Sequence, residues 1–314
     1  MSLYKNFEQI VRPQRIMEEV CLIVVEMFPD FDFSQVLSIY QDIVKLFAGD
    51  FIGYRKCNTK YHDLRHTEDC TLEFARIAHG AYVNGQTISK KGLNLGLISA
   101  LMHDTGYIQK FHDSRGTGGK YTITHVDRSI DFVRRYFFIK GLSAEDFTYC
   151  KNCLKCTGLG VKIDDIVFQS EENELMGKIL GVADLIGQMA DWSYLEKLPF
   201  LFEEYQEAHV SEFESELDLL RKTPDFWKFS QKRFKKELGN VDRYLKDHFK
   251  VRWGIDRDLD REAIEFNITR LSYILKNFAD DYRRYLCRHN LPEQFSLPLQ
   301  AGVDMVASQE NHGK

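Results

Sequence analysis

The sequence predicts an all-α protein. Apolar residues recur mostly at intervals of three and four, strand-like alternation is scarce, and the 314 residues include only six prolines. Helices are expected around Ile10–Met27 and Phe33–Phe47, separated by the Phe28-Pro29-Asp30 turn. Thr67 reads as the N-cap of a helix reaching about Val83, and Ser89 as the N-cap of another ending near Met102. His103-Asp104 closes that helix and Gly106 reads as its C-cap. Asp113–Lys120 contains three glycines and is expected to be a mobile loop. Thr124 opens a helix through Phe137, and Ser143 caps one carrying Cys150, Cys153 and Cys156. Asn173 precedes a helix punctuated by Gly177, Gly181, Ala183 and Gly187, as expected of a backbone that approaches a neighbour closely. Helices continue from Tyr194 to about Leu291, and Ser296–Lys314 reads as a loose tail.

Composition removes several classes of function. Forty-seven acidic residues against 42 basic ones give a net charge of −5, so no basic excess points to nucleic acid. The N-terminus lacks the apolar stretch of a signal peptide, and the most apolar runs, Val20–Val25 and Leu93–Met102, fall short of the ~20 residues that cross a bilayer. A cytoplasmic protein without a membrane partner is expected. Seven cysteines in such a chain suggest reduced thiols. The spacing of Cys150, Cys153 and Cys156 resembles the start of an iron–sulfur run, but position 160 is Gly, so burial on one helix face is the expectation.

Six of the ten histidines fall between residues 62 and 125. His62 and His66 are four apart, which on a helical turn puts both imidazoles on one side. His103 and Asp104 are adjacent, and a helix end would let both side chains converge. Asp184 interrupts the apolar series Ile179, Leu180, Val182, Leu185, Ile186, where an unpaired carboxylate would be costly and a cation would relieve it. Histidine and carboxylate without thiolate suit an open site for Zn, Mn, Fe, Ni or Mg.

Ala100-Leu101-Met102-His103-Asp104-Thr105-Gly106, with His66 upstream and Val182-Ala183-Asp184-Leu185 downstream, resembles the H…HD…D order of HD-domain metal-dependent phosphohydrolases. Tyr61-His62-Asp63-Leu64-Arg65-His66 is similar to the Tyr-His-Asn-x-x-His signature of cyclic-nucleotide phosphodiesterases, a branch of that superfamily. The resemblance implies that His66, His103, Asp104 and Asp184 are metal ligands, that Asp104 also serves catalysis by bridging a second ion, and that His62 is the general acid. One or two divalent ions would activate the water that attacks phosphorus in a nucleotide or cyclic nucleotide, and His62 would protonate the departing oxygen.

The pattern also departs from that family. Asp63 stands where the signature has Asn, and a carboxylate beside His62 is expected to favour its protonated form. Tyr107 and Ile108 replace the second histidine after the His-Asp pair, and no base-holding glutamine is evident. Arg65 lies inside the signature and is a catalytic candidate, whereas Arg115 and Lys120 could clamp an anionic substrate. His125 is read as a substrate or metal contact, Cys156 and His79 as core, and His112 as a loop residue. The expected organisation is an N-terminal helical extension at 1–57, an HD metal-site core at 58–190, a C-terminal helical region packing on it at 191–295, and the tail at 296–314. The outer helices would wall the pocket or form a homodimer. Two other readings stand beside hydrolysis: an HD-type di-iron oxygenase, one or two ligands short here, and a non-catalytic HD sensor or interaction domain.

Overall fold

The computed structural model describes residues 15–287 together with residues 10, 13 and 290. The expected tail lies outside the described residues. Twelve α-helices occupy them: α1 (Ile16–Met27), α2 (Ser34–Ala48), α3 (Leu64–Val83), α4 (Lys90–Met102), α5 (His125–Lys140), α6 (Ala144–Lys155), α7 (Glu171–Met189), α8 (Tyr194–Glu207), α9 (Glu216–Lys236), α10 (Tyr244–Trp253), α11 (Leu259–Asn277) and α12 (Tyr282–Leu286). No strand occurs among the described residues; a single antiparallel bridge joins Tyr54 to Lys110. The protein is all-α, and none of these helices is long and apolar enough to cross a membrane.

Helix α3 is the axis of the fold. From His66 to Ala81 every residue except Glu68 is buried, because α1, α4, α7 and α10 surround it. Its position forces polar groups inside. Arg76 is 1% exposed and places Nη1 2.7 Å from Glu73 Oε1 and 3.0 Å from Asp260 Oδ1, which ties α3 to α11. Such a buried pairing fixes the register of two helices, because breaking it would strand a charge in the core.

Local rules decide the helix ends, and several differ from the sequence reading. Asp63, not Thr67, is the N-cap of α3: its Oδ1 accepts from His66 N at 2.9 Å, so the helix starts one turn earlier and includes His66. Ser170 rather than Asn173 caps α7, while Ser89 and Ser143 cap α4 and α6 as expected. The region after Tyr194 is divided into five helices, with left-handed turns at His209 and Asn240 among the breaks. The glycine-rich segment 113–120 is tied down: Asn58 accepts from Gly118 N at 2.9 Å, and Glu207 accepts from Thr117 N.

Close backbone approach explains α7. A Cβ at Gly181 would sit 2.6 Å from the carbonyl oxygen of Cys156, so α7 can lie against the end of α6 only with glycine there. Cys150, Cys153 and Cys156 are fully buried, and burial pushes the Cys156 thiol up to about 12. They are packing residues. Buried apolar residues from Ile16 to Leu286 form one continuous core.

Gly106 works by contact rather than as a C-cap. It lies in a 3-10 turn, Thr105–Tyr107, and a Cβ there would stand 2.0 Å from the His125 carbonyl oxygen. Gly106→Ala is therefore expected to cost about 1–3 kcal/mol in urea denaturation, because α5 must move. Gly160→Ala, where a Cβ meets nothing within 4 Å, should stay within about 0.5 kcal/mol of the parent.

Candidate metal centre

Three chain segments deliver the central side chains. The cap at Asp63 sets His66 in the first turn of α3, and α7 carries Asp184 at its middle. His103 takes the C-cap position of α4 with φ −60° and ψ −33°, and Asp104 then turns to φ −106° and ψ 9°. That bend lets neighbouring side chains converge where a continuing helix would splay them by about 100°. Helix α5 clamps the bend: Ser129 Oγ donates to the His103 carbonyl, Gly106 N donates to Ser129 Oγ, and Arg128 Nε donates to the Gly106 carbonyl.

The result is a cluster of four donor atoms. His66 Nε2 lies 3.2 Å from His103 Nε2, 3.3 Å from Asp104 Oδ2 and 3.1 Å from Asp184 Oδ1. His103 Nε2 lies 3.2 Å from Asp104 Oδ2 and 3.5 Å from Asp184 Oδ1. His103 Nδ1 donates to the Ala100 carbonyl at 2.8 Å, so its Nε2 presents a lone pair. Asp104 Oδ2 is buried and has no hydrogen-bond partner of acceptable geometry.

A divalent ion fits this arrangement. Ligand atoms about 2.0–2.1 Å from a tetrahedral metal stand roughly 3.3–3.4 Å apart, close to the separations among His66, His103 and Asp104. Two imidazole nitrogens facing each other beside two carboxylates would otherwise need a proton between them. Burial opposes charge on His66, yet Asp104 and Asp184 outweigh it and raise its imidazolium from 6.5 to about 9. His103 moves in the same direction, against its own burial, chiefly through Asp104. Burial also opposes charge on Asp104, but the two histidines, His103 foremost, hold its carboxyl well below the usual range. Asp184 is likewise lowered, with His103 and His66 overcoming its burial.

A second pair of groups stands beside the cluster. His62 Nδ1 lies 2.6 Å from Glu204 Oε2, while Glu204 Oε1 accepts from the backbone N–H of Lys60 and Tyr61 at 3.1 and 2.9 Å. The carboxylate accepts the Nδ1–H hydrogen bond and leaves Nε2 facing inward, 3.4 Å from the Tyr107 hydroxyl. Tyr107 stacks on His62 with ring centres 4.2 Å apart, and burial raises its phenol well above 10, keeping it protonated. Asp63 is occupied as the helix cap, so the carboxylate that touches His62 comes from α8 and not from the next residue.

His125 completes the wall. Its Nδ1 donates to the Thr122 carbonyl at 2.6 Å, and burial lowers its imidazolium despite Asp104. The Nε2 lone pair therefore stands 3.9 Å from Asp104 Oδ1, a gap that admits a cation or a water between them. His62, Asp104, Tyr107, His125 and Asp184 all line a cavity of about 470 Å³.

Other candidate residues are placed elsewhere. Arg65 pairs with Asp69, its Nε 3.1 Å from Oδ1, and does not line the cavity. Lys120 binds Asp113 at 2.6 Å and the Arg115 carbonyl, and neither Lys120 nor Arg115 reaches the cavity wall. His79 is buried with its Nδ1 3.2 Å from that of His248, and His112 is exposed. Glu204 had no local signal in the sequence, being 142 residues from its partner. Cys70 had one, since it lies four residues after His66 on α3. Its Sγ sits within 4.8 Å of ligand atoms of His103 and Asp184, with burial pushing the thiol up to about 11.

Residues 111–248 match the model of the Npun_R2479-like family, so the chain is similar to that family over a segment holding His125, Asp184 and Glu204. No curated protein and no solved structure matches the chain.

The raised His66 imidazolium dictates a pH dependence. A group raised from 6.5 to about 9 on folding contributes stability that is complete below 6.5 and is lost as pH rises through 9. Metal-free protein is expected to show falling urea midpoints across that window. Saturating Co²⁺ should flatten the curve, because the ion replaces the proton. Metal-free midpoints that do not fall between pH 6.5 and 9 would contradict the assignment.

Proposed function

We propose that the protein is a metal-dependent phosphohydrolase of the HD type, acting on a small phosphoester of the nucleotide or cyclic-nucleotide class. The observation that carries this reading is the coincidence of two independent devices on one cavity. The cluster of His66, His103, Asp104 and Asp184 can hold a cation, and the His62–Glu204 pair offers a proton beside it. Either alone would be a common structural feature; together they meet the two demands of phosphoester cleavage.

The roles follow from position. When bound, a divalent ion supplies Lewis acidity toward the phosphate oxygens and lowers the pKa of water. His66, His103, Asp104 and Asp184 would hold it, with His103 fixed in the required tautomer by the Ala100 carbonyl. His62 Nε2 donates a proton to the leaving oxygen. Glu204 orients the ring through Nδ1 and offers the counter-charge to its imidazolium. Tyr107 fixes the plane of the imidazole by stacking, and its hydroxyl keeps Nε2 directed inward. His125, with its lone pair toward Asp104, provides a further contact for substrate or a second cation.

The test is metal analysis of the purified protein, followed by Mn, Mg, Ni and Zn screens against mono-, cyclic and diester nucleotides. Metal-dependent release of phosphate or of the ring-opened nucleotide is expected. Asp104→Ala should lose both bound metal and turnover. His62→Ala should retain metal while kcat falls about 10²- to 10⁴-fold. Glu204→Gln should retain metal with kcat lowered roughly 10- to 100-fold, and Asp63→Asn, an equally good helix cap, should leave the pH profile unchanged. Turnover without bound metal would refute the mechanism. Iron with oxygen consumption and no phosphate release would favour an oxygenase instead. Metal-loaded protein inert toward the whole panel would point to a sensor or interaction domain.

A further inference from the structure

The charges of the cavity narrow the substrate class. Beyond the metal-ligand candidates, its wall carries two carboxylates, Asp127 and Asp165, against one lysine, Lys155, and no arginine. Asp127 and Asp165 are exposed at the wall, and neither is ion-paired among the described residues. The nearby basic groups point their bonded donors elsewhere, Lys120 to a carboxylate and the two arginines to backbone carbonyls. Lys120 holds Asp113 and a backbone carbonyl, and Arg128 donates to the Gly106 and Ile108 carbonyls while lying 3.4 Å over the Tyr121 ring. Arg233 donates to the Cys156 and Gly158 carbonyls behind the loop that forms one wall.

The rest of the wall mixes the polar side chains of Thr122, Thr157 and Gln188 with large apolar ones. Tyr205, Phe226, Val161 and Leu201 line the cavity, and Ile123 and Leu159 are 71% and 44% exposed while lining it. Large apolar side chains left in water beside a polar cavity floor mark a surface that an apolar ligand covers. A ligand carrying a second phosphate or a carboxylate would meet two like charges and a single lysine there. Such a field disfavours binding and slows encounter.

We propose that the substrate is an ester of a single phosphate whose organic part presents one apolar face and bears no further negative charge, with Asp127 and Asp165 excluding polyanions. This rests on the phosphohydrolase reading for the position of the phosphate. It excludes nucleoside di- and triphosphates from the classes admitted by that reading, and it leaves room for the organic part in the 470 Å³ cavity.

The experiment compares kcat/KM for 4-methylbenzyl phosphate, 4-carboxybenzyl phosphate and a nucleoside triphosphate, with the metal-loaded full chain at low and physiological salt. The wild-type protein should favour the methyl compound over both anionic ones by about 10-fold or more at low salt, and by less at high salt. In the double variant Asp127→Lys/Asp165→Lys, with folding checked by circular dichroism, that preference should shrink below about 3-fold. Equal or better use of either anionic substrate by the wild type, or an unchanged preference in a folded double variant, would overturn the proposal. If no phosphoester is hydrolysed, the phosphohydrolase reading fails separately. The same ranking is then measured as calorimetric binding of 4-methyl- and 4-carboxybenzylphosphonate. Preferential binding of the methyl compound upholds the charge and surface assignment, and equal binding or none overturns it.

Discussion

Two imidazole nitrogens 3.2 Å apart, flanked by the buried carboxylate of Asp104 and the partly buried one of Asp184, are the constraint on which the rest of this structure depends. Bare lone pairs at that separation repel. A proton or a cation between them removes that repulsion. In metal-free protein a proton fills that role, and Asp104 and Asp184 favour charge on both imidazoles against their burial. A divalent ion could do the same, held by His66, His103 and Asp104, whose ligand atoms lie within 4.8 Å of one another.

Much of the fold serves that convergence. Helix α3 is buried on all sides so that His66 lies inside, and its buried Arg76 locks it to α11. Gly181 lets α7 settle against the end of α6 one turn before Asp184. Gly106 lets α5 approach the bend after α4, where Ser129 and Arg128 hold the backbone of His103 and Gly106. Glu204 then reaches from α8 across to His62 and simultaneously caps two backbone amides of the preceding turn. The helices after Asp184 are therefore part of the site, since they supply Glu204, Tyr205 and Phe226 to it.

The helical class was legible because apolar spacing reports which helix face is buried, and most helices fall where that spacing places them. The convergence of His66, His103, Asp104 and Asp184 was legible in part: Asp184 interrupts an apolar series and His103-Asp104 closes a helix, while grouping them with His66 came from the resemblance. Helix caps were less legible, since Asp63 and Thr67 are both good capping residues and only tertiary packing decides between them. Arg115 and Lys120 looked like anion ligands from their glycine-rich context, but the loop uses its lysine to hold itself together. Glu204 could not be read at all. A carboxylate in an amphipathic helix has the same appearance whether it faces solvent or a histidine 142 residues away.

The most direct measurement is X-ray absorption on protein loaded with one equivalent of Co²⁺ or Zn²⁺, in the wild type and in Asp184→Ala. Two imidazole shells with oxygen ligands at about 2.0–2.1 Å are expected in the wild type, with one oxygen lost or replaced in the variant. A bound ion without imidazole scattering, or a spectrum unchanged by removing Asp184, would contradict the assignment of this cluster as the metal centre.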